Sequence, residues 1–177
     1  MQLSGGLTLL MGERGEDDGQ ADLSDGVRRM ERRLYRVAMS YTANAPDAAD
    51  AVQEALLSAW KRRETLRREE FFDTWLMRIV INECKTLLRR RRYVSPMAHP
   101  PEVGCVQPPG ADAALHEALF SLPPKYRVPL TLTCLDGYTM REAARMLGLP
   151  EGTVKARLHR ARTQLREMLG EEEADDA

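Results

Sequence analysis

Apolar residues recur along this chain at helical spacing, and no stretch alternates as a strand would. Val27, Leu34, Ala38 and Tyr41 share one side of a helix predicted from Gly26 to Tyr41. After Asn44-Ala45-Pro46 a second helix follows, with Ala48, Val52, Leu56 and Ala59 on its apolar side and Asp47 and Asp50 favourably placed in its first turn. The basic run KRRETLRREE reads as a connecting loop. A long helix is predicted from Phe71 to Arg90, with Phe72, Trp75, Leu76, Ile79, Val80 and Leu87 on its core side. Residues 93–111 carry five prolines and no hydrophobic period, which predicts an extended linker. A final helical module begins near Asp112, with Leu119, Leu122, Val128, Leu132 and Leu135 feeding its core and Pro129 expected to kink or split the helix. The fold class is all-α, with two small helical domains joined by a Pro-rich linker. The expected boundaries are an acidic tail at 1–25, domains at 26–93 and 112–169, a linker at 94–111 and a second acidic tail at 170–177.

The end of the chain has the most specific local pattern, DGYTMREAARMLGLPEGTVKARLHRARTQLR from Asp136 to Arg166. Thr139 and Glu142 have the spacing of a capping box, which starts a helix by satisfying two orphaned backbone donors. Ala143 and Ala144 keep that helix thin where another must cross it, and Gly148 permits a tight turn. Leu149-Pro150 then disfavours helix until a second one starts near Pro150 or Glu151. On this second helix Val154, Leu158, Ala161 and Leu165 form the apolar stripe. The opposite face carries Lys155, Ala156, His159, Arg160, Thr163 and Arg166. This is the pattern of a helix-turn-helix, whose second helix enters the major groove. Lys155, Ala156, His159 and Arg160 are the candidate base readers, while Arg157, Arg162 and Arg166 suit phosphates. A basic amphipathic helix that merely closes a bundle would share the charges, but not the capping box, the Ala pair and the Gly turn together.

Charge makes a second basic module visible. The overall charge of −1 hides net +6 over Lys61 to Tyr93 and net +5 over Thr139 to Arg166, bracketed by −5 in the first 25 residues and −6 from Glu167 to Ala177. On the long central helix Arg78, Asn82, Lys85 and Arg89 recur at i, i+4, i+7 and i+11 as a polar stripe beside Trp75. Cations around a central amide suit a nucleic-acid backbone with one base contact, and Arg89 to Arg92 extend the basic end toward phosphates. Trp75 has two readings, a base-stacking platform or a core residue, and its spacing with Phe72 and Ile79 favours the core. The loop Thr65 to Glu70 lies next to the stripe and is suited to hold an unstacked base.

Other chemistry finds little support. Cys84, Cys105 and Cys134 form no C-x-x-C pair and have no His at metal-ligand spacing, which argues against disulfides and zinc and for a reducing cytoplasm. There is no Gly-rich phosphate cradle or nucleophile motif, so neither a catalytic role nor a cofactor is expected. No apolar run approaches a membrane span, and MQLSGGLTLLM lacks the basic start of a secretion signal.

Taken together, the two modules resemble the sigma-70 family of RNA polymerase sigma factors, specifically its compact extracytoplasmic-function group. DAADAVQEALLSAWKRRETLR resembles the polymerase-binding part of region 2, FFDTWLMRIVINECKTLLRRRR its promoter-melting part, and LPPKYRVPLTLTCLDGYTMREAARMLGLPEGTVKARLHRAR resembles region 4. The resemblance implies that Asp47, Asp50, Gln53 and Glu54 lie on the surface that binds core RNA polymerase. It implies that Arg78, Asn82, Lys85 and Arg89 take the minus-ten element, and that Lys155, Ala156, Arg157, His159 and Arg160 take the minus-thirty-five element of promoter DNA. It further implies an anti-sigma factor as partner, and a cytoplasmic protein found with the nucleoid when polymerase-bound or near the membrane when an anti-sigma factor holds it. The chain departs from the family at Thr86, where many relatives carry Asp. A helix-turn-helix regulator that acts without stoichiometric polymerase binding is the alternative function.

Overall fold

The computed structural model describes residues 18–94 and 113–170, and the described residues are helical with no strand. Among the described residues three helices form the N-terminal unit: α1 (Asp18–Thr42), α2 (Ala45–Lys61) and α3 (Phe72–Val94). Short 3₁₀ turns at Arg63–Thr65 and Glu69–Phe71 occupy the basic loop between α2 and α3. The C-terminal unit contains α4 (Ala113–Ser121), α5 (Pro124–Leu130), a π-type turn at Thr131–Leu135, α6 (Met140–Leu147) and α7 (Glu151–Leu169). Tyr93 and Val94, expected to open the linker, continue α3, while residues 95–111 of the predicted linker, the C-terminal tail beyond Gly170 and residues 1–17 of the N-terminal tail lie outside the described residues.

The N-terminal unit is held by three interlocking faces. Met30, Leu34, Val37 and Ala38 of α1 meet Leu76, Met77, Val80 and Ile81 of α3 in a fully buried core. From α2 come Ala48, Ala51, Ala55 and Ala59, small residues that let this helix approach its neighbours closely. Gly26 lies inside α1 for a similar reason: a Cβ there would stand 2.5 Å from the Phe72 ring. Asn44 caps α2, its side chain accepting from the Asp47 backbone N–H at 3.0 Å.

Three expectations change. The first helix begins at Asp18, inside the segment expected to be a tail, and Leu23 is buried in the core. The acidic, Gly-rich composition there masks the apolar period. The helix does not break at Pro129. It breaks earlier, at Leu122 and Pro123, passes through Pro129 inside α5, and widens into the π-type turn, where the Asp136 N–H donates to the Thr131 carbonyl at 3.0 Å. Because that wider turn adds a residue, Leu135 falls off the core face and is 52% exposed, whereas Leu122, Val128 and Leu132 are buried as expected.

Candidate nucleic-acid interface

Local hydrogen bonds set the direction of the last two helices. Thr139 caps α6: its hydroxyl accepts from the Glu142 N–H at 3.2 Å, and its own N–H donates to Glu142 Oε2 at 2.8 Å. The Thr139 hydroxyl also donates to Glu142 Oε2 at 2.6 Å, and this bond, followed by the one from the Thr139 N–H, holds the Glu142 carboxyl below the ordinary range. At the other end Gly148 adopts φ 68°, the left-handed conformation that ends the helix, and the Leu149 N–H donates back to the Ala144 carbonyl at 3.0 Å. Pro150 then leads into α7, with Val154, Leu158 and Ala161 buried. Lys155, Ala156, His159 and Arg160 are all exposed along the outer face, and Arg157 is half-buried beside them. Arg160 lies close enough to the Tyr126 hydroxyl to lower its pKa; the Tyr126 ring is buried while its oxygen reaches this surface. Sequence reasoning missed Tyr126 as a neighbour that can orient Arg160.

The central stripe is also laid out as expected. Arg78, Asn82, Lys85 and Arg89 are exposed on α3 while Leu76, Met77, Ile79, Val80, Ile81 and Cys84 of the same helix are buried. Although Lys85 is exposed as a residue, its ammonium end is partly covered where it meets the Leu147 carbonyl at 3.4 Å, and this desolvation, followed by the charges of Arg157 and Arg78, draws it below its ordinary range. Trp75 is half-buried, its ring tilted against Phe72, and its indole N–H donates to the Thr65 hydroxyl at 3.1 Å. Thr65 in turn donates to the Arg62 carbonyl at 2.7 Å. Trp75 is therefore a core-edge residue that also pins the loop in front of the stripe.

Two candidate residues have a different place. Asp47 is not on the exposed face of α2: its side chain is buried and paired with Arg91, 44 residues away. Burial raises the Asp47 carboxyl above its ordinary range, and Arg91 offsets only part of the shift. Arg91 is accordingly committed to Asp47 rather than standing with Arg89 and Arg90 as a free phosphate ligand. Asp50, Gln53 and Glu54 are exposed together on α2, as required of a docking face.

The stripe on α3 and the helix-turn-helix lie on separate units of one chain, and both units match known families. Residues 27–93 match the sigma-70 region 2 model and residues 112–165 match the sigma-70 region 4 model. The chain is 38% identical over 147 residues to the ECF RNA polymerase sigma factor SigM of Mycobacterium tuberculosis, covering 81% of this chain and 74% of that one. The chain belongs to the ECF group of sigma-70 family sigma factors. It is likewise 33% identical to the RNA polymerase sigma factor SigV of Bacillus subtilis, over 79% of this chain and 86% of that one. Among solved structures it is similar to the sigma factor RpoE of Bartonella quintana in complex with the anti-sigma factor NepR. That match has a TM-score of 0.77 at 25% identity, covering 86% of this chain and 99% of the other. CnrH, solved in complex with the cytosolic domain of CnrY, gives a TM-score of 0.64 at 28% identity, covering 87% and 91%. As a sigma factor the chain is a transcription-initiation factor and not an enzyme. Among the described residues no helix is long and apolar enough to cross a membrane, and no cluster of His, Cys, Asp and Glu is arranged to hold a metal ion.

Proposed function

We propose that this sigma factor divides promoter recognition between its two units. In this reading Lys155, Ala156, His159 and Arg160 read base edges of the duplex minus-thirty-five element, with Arg157 on a phosphate. Arg78, Asn82, Lys85 and Arg89, with the loop pinned by Thr65 and Trp75, hold the melted minus-ten strand. Asp50, Gln53 and Glu54 dock on core RNA polymerase, and Asp47 supports that surface from inside through Arg91.

The observation that carries the reading is the exposure of two separate basic faces, each backed by a buried apolar stripe on the same helix. Arg can pair bidentately with guanine, and each such contact discriminates between bases by about 1–3 kcal/mol. Phosphate contacts add affinity without sequence and weaken with salt. One of the similar structures is of a sigma factor held by an anti-sigma factor, and another is of CnrH held by the cytosolic domain of CnrY, which supports an anti-sigma partner for this chain. Such a partner would determine whether the protein is found with the nucleoid or near the membrane of the cytoplasm.

Run-off transcription with purified core polymerase over a randomised promoter library tests the assignment. Arg160→Ala is expected to change which upstream bases are recovered. Arg89→Ala is expected to lower yield across all sequences and reduce the slope of log affinity against log salt by about 1. If Arg160→Ala returned the wild-type promoter set, the recognition assignment would be wrong.

A further inference from the structure

An arginine at the surface has a long flexible stem, and holding it in one geometry costs side-chain entropy. For Arg160, exposed on α7, the neighbouring helix α5 supplies a fixed point. Tyr126 lies in the first turn of α5, where its N–H donates to the Pro123 carbonyl at 2.9 Å. Next to it Arg127 is buried and donates to the Phe120 and Leu122 carbonyls at 2.6 and 3.2 Å, which braces the turn between α4 and α5. The Tyr126 ring is buried in the same core as Val154, Leu158 and Ala161 of α7. A tyrosine has only two side-chain torsions, so a buried ring leaves its hydroxyl little room to move.

The tip of that ring meets the outer face of α7. Its hydroxyl is hydrogen-bonded to the Arg160 side chain, and Lys125 Nζ lies over the ring, 4.8 Å from its centroid. A guanidinium has five N–H donors and no acceptor, so in this pair Arg160 donates and the phenol oxygen accepts. Bidentate pairing with a guanine edge uses two of those donors, and a third can stay on Tyr126 while they are engaged. Such pairing depends on the plane of the guanidinium fork, and a bond from its rim to a fixed hydroxyl sets that plane.

We propose that Tyr126 is a positioning residue for promoter reading: its hydroxyl holds the Arg160 guanidinium in the orientation that selects one base pair of the upstream element, without itself touching a base. This role rests on the reading of Arg160 as a base reader. A hydroxyl that only completed the packing of α5 on α7 would contribute to stability alone. One that faced a phosphate would add affinity for every sequence. A positioning hydroxyl contributes to the preference among bases.

The experiment uses the full chain bound to core polymerase, the upstream duplex that wild type recovers best from the randomised library, and duplexes in which each of its base pairs is replaced in turn. Tyr126→Phe keeps the buried ring and removes only the hydroxyl. It is expected to lower discrimination by about threefold to tenfold at one base pair, the same one that Arg160→Ala affects. Discrimination elsewhere, the melting temperature and the slope of log affinity against log salt are expected to stay near wild type. In the Arg160→Ala background Tyr126→Phe is expected to change discrimination no further. The pairing is read separately, without DNA, by nuclear magnetic resonance of free chain carrying carbon-13-labelled tyrosine. The Arg160 cation favours the ionised phenol, so Arg160→Ala is expected to raise the pH at which Tyr126 titrates. An unchanged titration would overturn the pairing. If Tyr126→Phe weakened all duplexes equally, or kept the wild-type discrimination while Arg160→Ala lost it, the positioning role would be overturned. If Arg160→Ala itself kept the wild-type discrimination at every base pair, the base-reading assignment would fall and the role of Tyr126 with it.

Discussion

Region 2 and region 4 aim the side chains proposed to face DNA by different physical means. In region 2 the stripe from Arg78 to Arg89 is one face of a 23-residue helix, and its direction is set by the buried opposite face packed on α1 and α2. In region 4 the recognition helix takes its direction from punctuation: a capping box at Thr139, a left-handed Gly148 and Pro150 at the start of α7. A surface aimed by a core answers to side-chain volume and buried charge. One aimed by caps answers to single hydrogen bonds within a few residues.

The sharpest way to break this contrast is to empty the region 2 core. Leu76 is fully buried in α3, and Leu76→Ala is expected to cost about 2–5 kcal/mol in urea denaturation. A cost below about 1 kcal/mol would show that α3 is not held by its core face.

A smaller effect is expected at the buried acid beneath the proposed docking face. Arg91→Met leaves the Asp47 carboxylate without its cation and is expected to cost about 1–3 kcal/mol at neutral pH. The pH dependence has a definite sign. The Asp47 carboxyl is raised in the folded chain, so the stability it contributes is fully present below the ordinary carboxyl pKa and is lost as pH rises through the raised value. Removing Arg91 disfavours the charged form further, so the deficit in melting temperature is expected to be larger at neutral pH than near about pH 4. A deficit that did not change with pH would mean that Asp47 is held charged by something other than Arg91.

Region 4 should answer to its cap. Thr139→Ala removes the capping box and is expected to cost about 0.5–2 kcal/mol, read as a lower melting temperature with faster amide exchange in the first turn of α6. Rapid exchange confined to region 2 would reverse the contrast.

The same difference explains what could be read from the chain alone. Thr139 and Glu142 are three residues apart and Gly148 ends its own helix, so the helix-turn-helix is visible as local chemistry. The stripe on α3 is visible because helical period alone separates it from the core face. Asp47 reads as a surface acid because its partner Arg91 lies 44 residues further on, within a run of four arginines. Arg36 and Asp136, which pair across the two regions, and Arg127, which donates to the Ser40 carbonyl, give no local sign of these contacts, although a charged residue within the apolar run YRVPL marks Arg127 as one to question. Leu135 follows the period of an α-helix into a turn that has left that period.

The central claim is that the two regions act on DNA in two different states, and affinity of the polymerase-bound chain for two short DNAs tests it. One is a duplex carrying the upstream element, and the other is a single strand carrying the minus-ten element. Arg160→Ala is expected to weaken the duplex by about fivefold or more and leave the single strand unchanged, while Asn82→Ala is expected to do the reverse. If each variant weakened both DNAs equally, the division of labour between α7 and α3 would be contradicted.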